Sequence, residues 1–391
     1  MTHFETKAIR IQSERTLERE HSVPVYLTSS FVFDDSEQAR AMFAEEIEGN
    51  VYSRFSNPNT SELESKISAL EETESAFATA SGMAAVFASI APFVKSGDHI
   101  VSSRSVFGNT HKIMTEQLPQ WNISCTYADI RDKSSWEQAI QKNTVLLFVE
   151  TPSNPTLDVI DLQWLSGLAK SHGLLLVVDN CFATPYLQQP VKFGADLIVH
   201  SGTKYIDGQG RVLGGVVAGP RDKIKAVKNF VKRTGASLSP FNAWVLSKSL
   251  ETLAVRMDRH CDNAEALAKY FQTHPEVINV TYPFLDTYAE KDLAKKQMKR
   301  GGGLVCFEIK GGVERGKKFI DSLKMISLTA NLGDTRSIIT HPASTTHSKL
   351  TKEERKLVYV SDGLVRISAG LEHIEDIMKD LDQAFTKSKQ A

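Results

Sequence analysis

Three segments of the chain share one pattern, a near-continuous apolar run that stops on a polar side chain. "TVLLFVETPSNP" stops at Glu150, "HGLLLVVDNCFATP" at Asp179 and "DLIVHSGTK" at Ser201. A helix-like piece, "LQWLSGLAKSHG", lies between the first two. Runs this apolar are buried on both faces. Their alternation with helical segments predicts a mostly parallel sheet covered by helices, an α/β fold. Upstream, "SELESKISALEETES" has helical spacing at Leu63, Ile67 and Leu70. "AFATASGMAAVFASIAPFV" reads as a short apolar run, a break at Ser81-Gly82 and a helix start. "DHIVSSRSVFGNTHKIM" reads as a strand, a loop and a helix start.

The flanks differ from this middle. Residues 1–60 lack sustained periodicity, and "EEIEGNVYSRFSNPNTSE" is polar and punctuated, so it reads as a loop. After "RVLGGVVAG" a long helical region runs from about Pro240 to His274. Shorter strands and helices follow in "GGGLVCFEIK", "LVRISAG" and "EHIEDIMKDLDQAF". The expected organisation is an N-terminal arm and loop over 1–60, a large sheet domain over 61–240 and a smaller α/β domain over 241–391.

Composition narrows the function classes. The 391 residues carry 46 Lys and Arg against 47 Asp and Glu, a net charge of −1. That balance gives no reason to expect nucleic acid or an anionic membrane as partner. The four cysteines, Cys125, Cys181, Cys261 and Cys306, have no C-x-x-C spacing, which argues against a metal site or a disulfide scaffold. "MTHFETKAIRIQSER" has no apolar core, and no run approaches the roughly 20 apolar residues of a membrane span. A soluble, cytoplasmic protein is expected.

In open α/β sheets, ligands bind beyond the carboxyl ends of the strands. Those ends carry Glu150 and nearby Asn154, then Asp179, then Ser201, Thr203 and Lys204. A desolvated lysine loses its proton more easily and can form a Schiff base. A buried aspartate can hold a proton on a pyridine nitrogen so that the ring accepts electrons. Together they are the protein's part of pyridoxal phosphate (PLP) chemistry. A phosphate then needs a cradle. Ser201 and Thr203 offer hydroxyls, Gly82 and Met83 offer backbone N–H groups where a helix starts, and Arg54 offers a charge. Each piece alone has an ordinary reading: a loop, a helix cap, a solvated arginine. Their joint arrangement at strand ends is what points to a site. "GQGRVLGG" follows the lysine loop rather than opening a strand–turn–helix. It reads as a flexible loop, which argues against a nicotinamide dehydrogenase.

The chain resembles, over nearly its whole length, the Cys/Met-metabolism family of PLP enzymes, which includes cystathionine γ-synthase. The motifs are "YSRFSNP", "ASGMAA", "ETPSNP", "VVDNCFATP", "HSGTKY", "SLSPFNAW", "ANLGD", "THPASTTH" and "LVRISAGLEH". "SVFGNTHK" and "HSGTKYIDGQGRVLGG" are most similar to the O-succinylhomoserine sulfhydrylase branch. The resemblance implies PLP-dependent transferase fold type I, the aspartate aminotransferase-like fold. It implies that Lys204 carries PLP, that Asp179 meets the ring nitrogen and that Asn154 lies near the ring hydroxyl. Gly82, Met83, Ser201 and Thr203 would hold the phosphate, completed by Tyr52 and Arg54 of a neighbouring subunit. The active unit would then be a homodimer, with two dimers forming a tetramer. Arg366 would clamp the substrate α-carboxylate.

Three positions depart from the family pattern: Asn331 where serine is frequent, Asn59 in place of threonine, and Phe107 where many relatives place a tyrosine over the ring. The implied reaction is γ-replacement on an O-acylhomoserine, with the succinyl ester favoured. Sulfide would give homocysteine and cysteine would give cystathionine, a place in methionine biosynthesis. The alternatives are a cystathionine or methionine γ-lyase of the same fold and, more remotely, a non-catalytic PLP-binding module.

Overall fold

The computed structural model of the chain describes residues 2–389. Seven strands form the larger sheet: β1 (Ser75–Thr79), β2 (His99–Ser103), β3 (Ser124–Ala128), β4 (Thr144–Glu150), β5 (Leu175–Asp179), β6 (Leu197–Ser201) and β7 (Gly215–Gly219). Their order is β1-β7-β6-β5-β4-β2-β3. All neighbours pair in parallel except β7, which is antiparallel to both β6 and β1. The connection from β6 to β7 holds only the short helical turn Gly202–Ile206, with no helix to carry the chain across the sheet face for a parallel return. Gly215 at the start of β7 lies against the turn before residue 82. A Cβ there would stand 2.2 Å from the Ser81 carbonyl oxygen.

The expected apolar runs are buried on both faces. Phe148, Val177 and Val199 pack on one side, and Val149, Val178 and Ile198 on the other. Each such side chain contributes about 1.5–3 kcal/mol on burial. Five further strands form a second sheet: β8 (Val277–Thr281), β9 (Leu304–Ile309), β10 (Ser327–Leu328), β11 (Ile338–Thr340) and β12 (Leu364–Ser368), in the order β10-β11-β12-β9-β8. Its core, built on Phe307, Phe319, Val365 and Phe385, is separate from that of the larger sheet.

Local chemistry shifts three expected boundaries. The helix expected in "SELESKISALEETES" spans Pro58–Glu71, because Asn57 and Thr60 form a reciprocal cap and Pro58 takes the first turn. The long helical region after Pro240 is two helices, Pro240–Leu250 and Leu253–Thr273. The N-terminal arm holds two helices, Phe4–Arg10 and Ser36–Phe43, which are too short to show a period.

Asn59, the departure from threonine, has a clear use. Its carboxamide accepts from Tyr26 N–H at 2.8 Å and donates to the Pro24 carbonyl at 2.8 Å. The arm is thereby tied to the first long helix. No helix among the described residues is long and apolar enough to cross a membrane.

Candidate active site

Beyond Ser201 the chain turns through a wide helical turn, Gly202–Ile206, in which Lys204 leaves the helical region at φ −90° and ψ −132°. Arg256 holds this turn from the helix Leu253–Thr273. Its guanidinium donates to the carbonyls of Tyr205 at 2.6 Å, Ile206 at 3.2 Å and Ser249 at 3.0 Å. Gly208, at φ +70°, lets the guanidinium in, since a Cβ there would lie 2.1 Å from Nη1. Burial lowers the Arg256 pKa to about 10, opposed by Asp207.

The turn aims the Lys204 amine at Asn331, whose Oδ1 accepts from Nζ at 2.6 Å. Burial lowers the lysine pKa. The Arg366 cation adds to that, against an opposing effect of Cys181. A lysine in this setting is more readily the neutral nucleophile.

Arg366, on β12, reaches across from the second sheet. Its Nη1 donates to Asn154 Oδ1 at 2.8 Å and its Nη2 to the Asn331 carbonyl at 3.3 Å. Its Nε is buried without a partner, and no carboxylate pairs with it among the described residues. A buried guanidinium without an internal anion is suited to receiving one from outside.

At the next two strand ends, Glu150 and Asp179 lie in register. Asp179 Oδ1 accepts from Cys181 N–H at 3.0 Å. Burial pushes its pKa up to about 6, opposed by that hydrogen bond and by His200. Glu150 Oε2 accepts from the Phe107 N–H at 2.8 Å. Phe107 itself is 44% exposed and opens the helix Gly108–Lys112.

The expected cradle is close-packed. A Cβ on Gly82 would stand 2.6 Å from Ser201 Oγ, so only glycine brings the helix Gly82–Ala88 this near to the end of β6. The first N–H groups of a helix, here those of Gly82 and Met83, have no intrahelical acceptor. Thr203 Oγ1 accepts from Gly214 N–H at 3.2 Å.

Tyr52 and Arg54 do not join this cluster within the chain. Tyr52 is 42% exposed, and the Arg54 guanidinium donates to the Lys232 carbonyl and stacks on Phe55 at 4.8 Å.

These side chains fit PLP on structural grounds. Among them are a desolvated amine, a buried carboxylate without a cation, an orphaned guanidinium nitrogen and a glycine–serine contact beside free N–H groups. A family model, Cys/Met metabolism PLP-dependent enzyme, matches residues 5–386.

The chain belongs to this family.

It is 45% identical to an O-succinylhomoserine sulfhydrylase of Pseudomonas aeruginosa, over 97% of this chain and 94% of that one. It is 43% identical to an L-methionine gamma-lyase of Fusobacterium nucleatum subsp. polymorphum, over 98% of each. Among solved structures it is similar to an O-acetylhomoserine (thiol)-lyase assignment from Campylobacter jejuni. That likeness has a TM-score of 0.95 and 35% identity over 98% of this chain and 100% of that one. The Campylobacter structure contains N'-pyridoxyl-lysine-5'-monophosphate. The chain is a PLP-dependent enzyme of sulfur amino-acid metabolism with fold type I.

Two features escaped the sequence reading. Arg256 lies far along the chain from Lys204, and nothing local in "LAVRMDRH" signals what it holds. A buried polar group joins Glu71, His200, Asn180 and Gln188. Asn180 Nδ2 donates to Glu71 Oε1 at 3.0 Å, and Gln188 Nε2 to Asn180 Oδ1 at 3.0 Å. His200 could have been flagged, because it is the lone titratable residue in the apolar run of β6.

Proposed function

We propose that the protein catalyses γ-replacement on an O-acylhomoserine, with the succinyl ester preferred, using a sulfur nucleophile. The Cγ–O bond breaks, the acyl group leaves as a carboxylate and a Cγ–S bond forms. Sulfide then gives homocysteine, and cysteine gives cystathionine. PLP, when bound, supplies the electron sink that stabilises negative charge at the substrate Cα.

Each side chain has a task in this reading. Lys204 carries the cofactor and, once released, takes the Cα proton on Nζ. Asp179 holds the proton on the ring nitrogen, and Asn154 meets the ring hydroxyl. Gly82, Met83, Ser201 and Thr203 bind the phosphate. Arg366 receives the substrate carboxylate, with Asn331 beside it. Phe107 stacks on the ring face. Tyr52 and Arg54, in the arm over 1–60, complete the phosphate site of a second copy, so the working unit is a cytoplasmic homodimer, paired into a tetramer. The sheet domain over 61–240 binds the cofactor, and 241–391 supplies the carboxylate clamp.

The observation that carries a transferase over a lyase is Phe107. It stands at the mouth of the site, its backbone anchored to Glu150 beside Asp179, and it has no hydroxyl. Similarity to methionine gamma-lyases at 43% identity favours the second reading, γ-elimination of methionine. The deciding assay offers both acyl esters with both sulfur donors, next to methionine and cystathionine alone. Faster consumption of an acyl ester supports the proposal, and faster breakdown of methionine or cystathionine replaces it with the lyase.

A further inference from the structure

Glu150 has no task in the reading above, yet it is among the most deeply placed polar residues of the site. It ends β4 in register with Asp179 at the end of β5. Side chains alternate along strands, so both stand on the face shared by Phe148, Val177 and Val199. Neighbouring strands lie about 4.8 Å apart, which sets the two carboxyls side by side. Both are buried, with relative exposures of 4% and 9%. Neither forms an ion pair with a cation among the described residues. Their hydrogen bonds come from backbone N–H groups, those of Phe107 and Asn154 for Glu150 and that of Cys181 for Asp179.

Two adjacent buried carboxylates without an ion-pair partner repel each other when both are ionised, and a shared proton relieves them. The ring-nitrogen role of Asp179 needs its anion, which leaves the proton to Glu150. Burial first, and then the Asp179 charge, raise the Glu150 pKa well above the carboxylate range. Burial raises Asp179 too, to about 6, opposed by its bond from the Cys181 N–H and by His200. The other groups facing the pair are Arg366 from β12 and Cys181 after β5, with Lys204 beyond β6 next to Cys181. Arg366 lies near enough to lower the Glu150 pKa, yet its own hydrogen bonds go to Asn154 and Asn331.

We propose that Glu150 is a positioning residue held as the neutral acid: its carboxyl anchors the Phe107 backbone beside Asp179, and its proton leaves Asp179 as the one anion of the pair and Arg366 without an internal carboxylate. This rests on the reading that Asp179 serves the PLP ring nitrogen. A neutral Glu150 lets one site hold a cationic ring and an anionic substrate without an extra internal charge. It also explains why a glutamate can sit beside the substrate's arginine without capturing it.

The experiment uses the purified full chain with and without PLP. Difference infrared spectra of wild type minus E150Q, near neutral pH, are expected to show a protonated-carboxyl C=O band that belongs to Glu150. No such band means that the group is ionised, and the proposal falls. PLP titration gives the second readout. E150A leaves the Phe107 N–H without its buried acceptor and is expected to bind PLP about 5- to 100-fold more weakly. E150Q, neutral and of the same shape, is expected to restore most of that affinity and to keep the wild-type pH midpoint of the cofactor absorbance. E150Q binding as weakly as E150A, or moving that midpoint, would show that the charge matters and would overturn the proposal. If E150A does not fold, the infrared band and E150Q still decide. D179N separates the two readings. Unchanged PLP affinity and spectrum in D179N sink the ring-nitrogen assignment, whereas the Glu150 band reports its proton independently.

Discussion

The Lys204 turn and the N-terminal arm contribute to one proposed site in opposite ways. The turn is finished by its own chain. Arg256 grips its carbonyls, Asn331 accepts from its amine and Gly82 closes against Ser201. The arm faces outward. Leu17 and Val32 are almost fully exposed, Leu27 largely so, and Arg54 rests on a surface carbonyl of residue 232. Buried hydrogen bonds that satisfy each other fix geometry, whereas an exposed cation held by one carbonyl and two rings is free to exchange partners. The difference teaches which half of the site one sequence can complete alone.

The largest expected effect tests the finished half. Lys204→Ala should remove the visible absorbance of the bound cofactor. It should cut turnover by about 100- to 10,000-fold or more, the range for losing a positioned acid–base group. Retention of both would place the cofactor lysine elsewhere. Next in size is Arg366→Ala. Losing one partner of a buried charge pair costs about 2–5 kcal/mol. The value of kcat/KM should therefore fall by roughly 30- to 5,000-fold with PLP still bound. Steady-state kinetics with cofactor absorbance as a control measures this, and a near-normal kcat/KM would move the clamp to another residue.

A mixing experiment sharpens the contrast. Inactive Lys204→Ala subunits are combined with inactive Arg54→Ala subunits under conditions of verified exchange. If the arm serves a second copy, mixed dimers regain one site with both residues intact, and activity returns to part of the wild-type level. No return despite exchange would mean that each chain builds its site alone.

The same contrast explains what could be read before the structure. The ends of β4, β5 and β6 fall on Glu150, Asp179 and Ser201, as their apolar runs indicate. Burial on both faces leaves a strong signal, and polar residues at such ends have few uses other than a site. The direction of β7 left no signal, because pairing direction depends on the connection and not on the strand's own residues. Arg256 was invisible for a related reason. Its partners are backbone carbonyls far along the chain, and carbonyls carry no sequence signature. Asn331 was legible only as a departure from a pattern. The structure gives it a function of its own, since its side chain meets the lysine and its carbonyl meets the arginine. Tyr52 and Arg54 carry motif identity but no contact with the cluster in one chain, so their role is a matter for the mixing experiment.

The smallest expected effect concerns Phe107, which lies between the two regions: its backbone belongs to the finished half and its ring is open to solvent. A phenylalanine face can stack on the cofactor ring, but unlike tyrosine it can neither give nor take a proton. The leaving groups respond differently to that loss. A thiol has a pKa near 8.5, so a departing thiolate gains from an acid beside it. A carboxylic acid has a pKa near 4, so a departing succinate or acetate needs none. Cleavage of methionine or cystathionine should therefore be slow in the wild type, while acyl esters with a sulfur donor react well. Phe107→Tyr should raise the lyase rates several-fold relative to the replacement rate. Its effect on the acyl ester should stay small, because the carboxylate leaves unaided. The ratio of the two rates, measured in one preparation, cancels differences in folding and cofactor content. A ratio that does not move would show that the ring's hydroxyl is not what separates the two reactions. The specificity would then have to come from Asn331 and Arg366, where the substrate carboxylate is received.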